Sequence, residues 1–223
     1  MGEHASLPAS PEAVLFDCDG VVLDSEVLWD RAEVEFLARR GIVFDSARTK
    51  PLITGLGMTA GILLLQEQYG LPGDIEELSR ERIEIVRGFF ERELRFTEGF
   101  LDFFETRIRG RFRTCIATSM SADIFAVADR RLGISHLFDG RVYFPSHVGG
   151  RAKPEPDLFL YAAAQLAAPP ERCVVIEDSP RGIEAGRRAG MRVIGLATTH
   201  PRELIANADV VVGSFVEMDA KLS

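Results

Sequence analysis

The sequence predicts an α/β protein: a doubly wound, Rossmann-like parallel sheet core with an all-helical domain inserted after the first strand. Two observations lead to this fold class. From residue 98 onward, short apolar runs typical of strands buried on both faces alternate with helical segments of about 10 to 12 residues. Before that point lie roughly 70 residues with helical patterns and no strand pattern. Strands that alternate with helices of this length form doubly wound parallel sheets.

The composition is that of a globular protein. The chain has 223 residues, of which 46% are hydrophobic and 27% charged, and its net charge is −8. The negative charge argues against a nucleic-acid surface, because phosphate backbones select basic patches. No apolar run reaches the ~20 residues that cross a bilayer, and the first residues lack the apolar centre of a signal peptide. We therefore expect a cytoplasmic monomer or weak dimer that contacts neither membrane nor nucleic acid.

The three cysteines, Cys18, Cys115 and Cys173, lie in or beside apolar runs and are expected to be free and buried. A zinc site would need cysteines or histidines paired at short spacing, and none of them is so paired. Cys18 is predicted to be a poor nucleophile, because the flanking aspartates raise the pKa of its thiol.

The first predicted strand, Val14 to Phe16, ends in two aspartates, Asp17 and Asp19, followed by Gly20. Open α/β sheets place ligands at the carboxyl edge of their strands, and alternate side chains of an extended chain point to the same side. Two such carboxylates repel unless a cation or a shared proton intervenes. The pattern indicates a catalytic or metal site. On these residues alone, a simple turn formed by the Asp-Gly pair is an alternative interpretation. A calcium loop is excluded, because Leu28 stands where its closing glutamate would be.

The stretch between residues 25 and 97 has helical patterns throughout. Ser25 to Arg40 is predicted to be an amphipathic helix with Ser25 as its N-cap. A glycine-rich break precedes an apolar helix from Thr59 to Tyr69, and Asp74 to Glu93 is a long, charge-rich helix. We therefore predict three parts, which are an N-terminal tail (1–11), a core (12–24 and 98–223) and a helical domain (25–97).

Strands and helices alternate after residue 98. The further strands are expected at Phe112 to Ala117, near Phe138 to Tyr143, and at Cys173 to Ile176, Arg192 to Leu196 and Val210 to Val212. The helices are expected at Gly99 to Arg109, Ser121 to Leu132, Asp157 to Ala167 and Pro180 to Ala189. Ser179 followed by Pro180 is a favourable helix start.

Three further polar signals stand at strand ends or in the loops beyond them. Thr118 and Ser119 follow a strand and open a helix, which suits anion binding, although N-capping alone explains the pair equally well. Lys153 precedes a proline-flanked segment that stiffens the backbone, and taken alone it is more simply a solvated lysine. Glu177 and Asp178 end an apolar run, where carboxylates are costly without a cation. Magnesium prefers carboxylates together with water and phosphate oxygens.

Taken together and in this order, Asp17-Cys18-Asp19-Gly20-Val21, Thr118, Lys153 and Glu177-Asp178 resemble the motifs of the haloacid dehalogenase superfamily, in its phosphatase branch with a helical cap. The resemblance spans about residues 12 to 220. It implies that Asp17 is the nucleophile, that Asp19 is the general acid and base, and that Thr118 and Lys153 hold the phosphoryl group. It also implies a Mg²⁺ ion bound by Asp17, the Asp19 carbonyl and Asp178, with Glu177 assisting. The helical domain matches the cap.

The expected activity is Mg²⁺-dependent hydrolysis of a small phosphorylated metabolite through an aspartyl phosphate. The resemblance includes sugar-phosphate phosphatases, phosphoglycolate phosphatase and β-phosphoglucomutase. The mutases usually have His and Arg where this chain has Trp29 and Met58, and Arg80, Arg82 and Arg87 are expected on a solvated helix face. Water is then the expected phosphoryl acceptor.

Two alternatives to this activity remain. One is a β-phosphoglucomutase-like transferase, and the other is a non-catalytic relative that binds a partner through its cap. Dehalogenation is disfavoured, because the dehalogenases of the superfamily lack the second aspartate and use no metal.

Overall fold

Six parallel strands form one sheet. They are β1 (Ala13–Phe16), β2 (Arg113–Ala117), β3 (Val142–Tyr143), β4 (Cys173–Glu177), β5 (Arg192–Leu196) and β6 (Val210–Val212), in the order β3-β2-β1-β4-β5-β6. This computed structural model describes residues 11–53, 56 and 58–222. The strand order reverses at β1, so the carboxyl ends of β1, β2 and β4 border the crevice where such sheets bind ligands. The predicted doubly wound sheet is confirmed.

Four helices lie between β1 and β2 in the chain. They are α1 (Glu26–Ala38), α2 (Ser46–Ile53), α3 (Met58–Tyr69) and α4 (Ile75–Glu93). Over the described part of 25–97 there is no strand, and Phe96 makes only an isolated bridge with Leu23. The chain enters and leaves this helical part through adjacent segments, because the Asp24 amide donates to the Arg95 carbonyl (3.0 Å) and the Thr97 amide to the Val22 carbonyl (3.0 Å).

The remaining helices flank the sheet. They are α5 (Phe100–Phe103), which continues as a π-helical turn (Phe104–Ile108), α6 (Ala122–Leu132), α7 (Ile134–Leu137), α8 (Asp157–Gln165), α9 (Pro180–Arg188) and α10 (Phe215–Leu222). Short 3₁₀ turns occur at Pro145–Val148 and Pro170–Arg172. Among the residues described here, no helix is both long and apolar enough to span a bilayer.

The sequence did not predict α2, α7 and α10, and it predicted a longer β3. Helix α2 has only eight residues and contains Pro51, which lacks an amide proton and weakens a helix pattern. Strand β3 begins late, because Asp139 and Gly140 have positive φ angles of 51° and 73° and turn the chain just before it.

Strand β1 is buried on both faces. Val14 and Phe16 belong to one apolar cluster, and Ala13 and Leu15 belong to the other. On the first face, rings of α5, its π-helical turn and the loop after α7 lie 5.6 to 6.0 Å from the Phe16 ring. Close packing of this kind fixes the end of the strand, and Asp17 is the next residue.

The N-terminal ends of two helices differ in how they are capped. The Asp74 carboxylate accepts hydrogen bonds from the Glu76 and Glu77 amides at 2.8 and 3.2 Å and caps α4. Ser25 occupies the predicted N-cap position of α1, but its side chain makes no capping hydrogen bond. Its hydroxyl donates instead to Asp19 at 2.6 Å.

Candidate active site

Strand register brings most of the predicted site residues to one edge of the sheet. Phe16 pairs with Ile116 of β2 and with Ile176 of β4, so the residues that follow these three positions emerge side by side. Carboxylate oxygens of three of them, Asp17, Glu177 and Asp178, lie within 4.8 Å of one another, and all three residues are buried.

Lys153 reaches this cluster from the loop before α8. Its Nζ donates to Asp17 Oδ1 at 2.5 Å, to Glu177 Oε1 at 2.6 Å and to the Ala117 carbonyl at 3.0 Å. Burial acts to lower the pKa of Lys153, but the two adjacent carboxylates outweigh it and raise the pKa above its usual range. Lys153 is therefore a buried ammonium ion and not the solvated lysine that it would be on its own.

Glu177 holds this part of the site together. Its Oε1 accepts from Lys153, and its Oε2 accepts from the Asp178 amide (3.0 Å), the Ser179 amide (3.0 Å) and the Ser179 hydroxyl (2.9 Å). A side chain at Gly182, in the first turn of α9, would collide with this carboxylate. Because donors already occupy both of its oxygens, Glu177 is suited to positioning its neighbours.

The buried carboxylates can hold a metal ion. Burial raises the pKa of Asp17 and of Asp178 well above the usual range, and repulsion from neighbouring carboxylates adds to it. A cation bound among them would remove this penalty. An all-oxygen donor set of this kind is the one that hard divalent cations prefer.

Asp19 faces the same cavity and is held by two residues of the helical part. Its Oδ1 accepts from the Ser25 hydroxyl at 2.6 Å and from the Trp29 indole Nε1 at 3.0 Å. Burial raises the pKa of Asp19, and these two hydrogen bonds partly offset that effect. The sequence did not predict the contact between Trp29 and Asp19. Trp29 lies in the first turn of α1, which begins shortly after the Asp-x-Asp motif. This position was the available signal for its contact with Asp19.

The two predicted hydroxyls differ in their surroundings. Thr118 is fully buried, and its Oγ1 accepts from the Met120 amide at 3.0 Å. The Ser119 Oγ is buried on the cavity wall and has no hydrogen-bond partner within the described ranges. The Ser119 hydroxyl can therefore bind a ligand oxygen. For this residue, anion binding is favoured over the N-capping that explained the sequence equally well.

A cavity of about 110 Å³ lies between the sheet edge and the helical part. The sheet side includes Asp17, Asp19, Ser119, Lys153, Asp178 and Arg181. The opposite side, which we call the cap wall, consists of Glu26, Trp29, Asp30 and Glu33 from α1, Ile53, Leu56, and Arg82 from α4.

The prediction that Arg82 lies on a solvated helix face is wrong. Arg82 does not belong to a solvated face, since it is 6% exposed and forms an ion pair with Glu33, which is 2% exposed. It stands four residues after buried Leu78 and three before buried Ile85, the spacing of one helix face, and this spacing was the available signal. Arg80 is exposed as expected. The side chain of Met58 lies outside the described residues.

The motif glycine permits the close approach of the acidic residues. Gly20 has a φ of +73°, and a side chain there would collide with the Asp178 carboxylate and the Thr199 hydroxyl. The Thr198 hydroxyl donates to the Gly20 carbonyl at 2.6 Å. Cys18, between the aspartates, is fully buried, and this burial, with the two aspartates, raises the pKa of its thiol well above the usual range. The prediction of a poor nucleophile agrees with this direction.

The family profile of haloacid dehalogenase-like hydrolases matches residues 11–190. The chain belongs to this family of hydrolases, and the family and enzyme class predicted from the motifs are thereby confirmed.

Individual relatives extend the similarity over nearly the whole chain. Protein CbbY of Cereibacter sphaeroides is 32% identical over 219 residues, which cover 93% of this chain and 94% of that protein. Hexitol phosphatase B of Escherichia coli (strain K12) is 28% identical over 233 residues, covering 97% and 98%. The crystal structure of CbbY from Rhodobacter sphaeroides in complex with phosphate has a TM-score of 0.82 at 29% identity, covering 95% of this chain and 99% of that chain.

Proposed function

We propose that the protein is a Mg²⁺-dependent phosphatase that hydrolyses a small phosphorylated carbohydrate through an aspartyl phosphate on Asp17. The observation that carries this proposal is the buried group in which Asp17 contacts Lys153 and neighbours Asp178, with Asp19 facing the same cavity. The names of the relatives, which include a hexitol phosphatase, support the substrate class.

The reaction divides into two displacements, which is how covalent catalysis replaces one difficult step by two easier ones. An Asp17 oxygen attacks phosphorus, and the bond from phosphorus to the leaving oxygen breaks as Asp19 donates a proton to that oxygen. Asp19 then takes a proton from water, the resulting hydroxide attacks phosphorus, and inorganic phosphate and the Asp17 carboxylate are released. Burial raises the pKa of Asp19, which favours the protonated form that the first step needs.

The phosphoryl oxygens need positive charge and hydrogen-bond donors around them. Lys153 is buried and positively charged beside Asp17, and the Ser119 and Thr118 hydroxyls follow β2 at the same edge. Donors fixed in a dry site stabilise developing charge far better than water does. We assign phosphate binding to these three residues.

The proposed Mg²⁺ ligands are Asp17, the backbone carbonyl of Asp19 and Asp178, with Glu177 in a secondary role. When bound, the ion would neutralise charge on the phosphoryl oxygens and on Asp17. The donors that already occupy both Glu177 oxygens support its secondary rank.

Replacing Asp178 should affect the metal requirement more than replacing Glu177. Asp178→Ala removes a ligand, so we expect the Mg²⁺ concentration for half-maximal phosphate release to rise by at least about tenfold. Glu177→Ala should raise it less and should also lower the melting temperature, because it removes one of the three acceptors of Lys153 and leaves the Ser179 amide without its acceptor. Magnesium titrations of the two variants check this, and curves that overlay the parent's would place the metal elsewhere.

The helical part between β1 and β2 is proposed to be a cap that closes over the cavity and excludes water. We place its boundaries at residues 25 and 97. The support for this placement is the pair of adjacent chain crossings at Asp24–Arg95 and Val22–Thr97. Location in the cytoplasm and a monomeric or weakly dimeric state stay predictions.

One observation favours a second candidate, a phosphoryl-transferring mutase. Arg82 is a cationic residue on the cap wall, which is where a mutase needs to hold the second phosphate of its substrate. The test is to measure phosphate release from a panel of sugar and polyol phosphates, with β-glucose 1-phosphate plus a trace of its bisphosphate included. We expect inorganic phosphate to appear in step with substrate loss, whereas glucose 6-phosphate formed faster than phosphate would establish the mutase.

The Gly20→Ala variant tests the geometry of the site. Positive φ alone costs a residue other than glycine about 1–2 kcal/mol, and the collision with Asp178 adds to this and shifts the carboxylate. We expect a loss of stability together with a fall in kcat/KM on the order of 100-fold, the cost of displacing a catalytic group by about 1 Å. The matched control is Gly41→Ala, at φ +69° with nothing within 4 Å, which should lose stability only. Equal kinetics in the two variants would contradict the account.

A further inference from the structure

A buried ion pair on the cap wall points into the cavity. Glu33 of α1 and Arg82 of α4 are 2% and 6% exposed, and both line the cavity above Asp17 and Asp19. Arg82 Nε donates to Glu33 Oε1 at 2.8 Å, and a terminal nitrogen of the same guanidinium donates to that same oxygen. The guanidinium carbon lies 5.3 Å from the centre of the Trp29 ring. Arg82 is therefore held in place by both Glu33 and the Trp29 ring.

The second oxygen of this carboxylate lacks a donor. Glu33 Oε2 is buried, and no residue of the described part of the chain donates a hydrogen bond to it. A buried acceptor without a donor is unfavourable, because it has lost its hydrogen bonds to water. Because a carboxylate only accepts, a hydroxyl or amine of a ligand in the cavity can donate to it.

The other charges of the cap wall offer little to a second anionic group. Lys50 of α2 binds Asp30 at 2.5 Å and lies 3.7 Å from Glu26. Burial raises the pKa of Glu26 to about 7, so this carboxyl is partly protonated at neutral pH. Lys50 and Arg82 are thus each already paired with a carboxylate. A phosphate or carboxylate placed against this wall would meet those carboxylates, and like charges at such distances disfavour binding.

We propose that the Glu33–Arg82 pair selects phosphomonoesters whose non-reacting part is an uncharged polyol, with a substrate hydroxyl donating to Glu33 Oε2. This inference rests on the proposed phosphatase function and specifies its substrate class. The pair is a specificity device, because it binds the part of the substrate that does not react. It excludes substrates that carry a carboxylate or a second phosphate toward the cap. Arg181 lies on the opposite, sheet side of the cavity.

The test compares two substrates that differ at one carbon. Glucitol 6-phosphate ends in a hydroxymethyl group, and 6-phosphogluconate ends in a carboxylate at the same position. We expect the parent enzyme to prefer glucitol 6-phosphate by at least about tenfold in kcat/KM, which corresponds to about 1.4 kcal/mol. In Glu33→Gln this preference should fall to near one, because Glu33 then no longer offsets the positive charge of Arg82 beside the substrate carboxylate.

The matched control is Glu81→Gln. Glu81 precedes Arg82 on α4 and pairs with Arg39 and Arg40 away from the cavity, so this variant should keep the parent's preference. A parent without the preference, or the same preference in Glu33→Gln and Glu81→Gln, would overturn the inference.

Hydrolysis of p-nitrophenyl phosphate, which contains no polyol, tests the phosphatase activity independently of the polyol preference. If the parent hydrolyses it but neither hexose derivative, the polyol inference is wrong and the phosphatase proposal stands. If it is not hydrolysed either, the phosphatase proposal fails and the inference fails with it.

A double variant keeps the test decisive if Glu33→Gln does not fold. Glu33→Leu with Arg82→Met replaces a buried ion pair by apolar groups of similar size, a change that proteins often tolerate. It removes the hydroxyl acceptor, so kcat/KM for glucitol 6-phosphate should fall at least about tenfold relative to that for p-nitrophenyl phosphate. An unchanged ratio of these two substrates would overturn the inference.

Discussion

Asp17→Asn is expected to lower kcat/KM for p-nitrophenyl phosphate by a factor on the order of 10⁴ or more, as loss of a catalytic nucleophile does. The amide has nearly the shape of the carboxylate but is a very weak nucleophile. The variant should still fold, because β1 is buried through its own apolar residues and Lys153 keeps its contact with Glu177. Phosphate release and circular dichroism check the two expectations separately.

The matched control for this variant is Asp102→Asn. Asp102 is exposed in α5, on the chain segment that follows the helical part, and its amide should leave kcat/KM within about twofold. Substantial Mg²⁺-dependent turnover by a folded Asp17→Asn protein would remove Asp17 from the role of nucleophile.

Lys153→Met is expected to lose both activity and stability. Lys153 is the one described cation that contacts both Asp17 and Glu177, and removing one partner of a buried ion pair costs about 3–5 kcal/mol. Activity should fall at least about 100-fold, because the phosphoryl oxygens lose a fixed positive charge. Urea unfolding without metal, together with phosphate release, measures the two effects.

Adding Mg²⁺ gives this variant a distinctive behaviour. A metal ion neutralises the same carboxylates, so it should raise the melting temperature of Lys153→Met more than that of the parent. The control is Arg188→Met, which removes an exposed partner of Glu155, and water-screened pairs of this kind contribute little. Unfolding of Lys153→Met at the same urea concentration as Arg188→Met would show that the buried ion pairs of Lys153 do not stabilise the fold.

The sheet edge of the site was predictable from sequence because it depends on local patterns. Asp17 and Glu177 stand at the ends of short apolar runs, and parallel strands align such ends at one edge of a sheet. Lys153 was predictable only through the resemblance, since a loop lysine alone carries no signal of burial. The structure adds the reason for its burial, which is that two carboxylates and a carbonyl bind its three protons.

The cap side of the site could not be predicted in the same way. Trp29 and Ser25 donate to Asp19 because α1 begins within a few residues of it, and this depends on how the chain turns after Gly20. Arg82 is buried because α4 packs against α1, a contact between segments 49 residues apart. Sequence patterns predict that a charged residue on a charge-rich helix is solvated, unless its partner on the neighbouring helix is known.

The configuration at phosphorus shows whether the phosphoryl group passes to Asp17 before it passes to water. Each in-line displacement inverts phosphorus, so transfer to Asp17 followed by transfer to water gives net retention. The measurement is hydrolysis of a thiophosphate monoester made chiral with two oxygen isotopes, in water that carries the third isotope and with Mg²⁺, followed by analysis of the configuration of the released thiophosphate. An aspartyl phosphate on Asp17 predicts retention. Inversion would show a single direct attack by water and would contradict the aspartyl phosphate on Asp17.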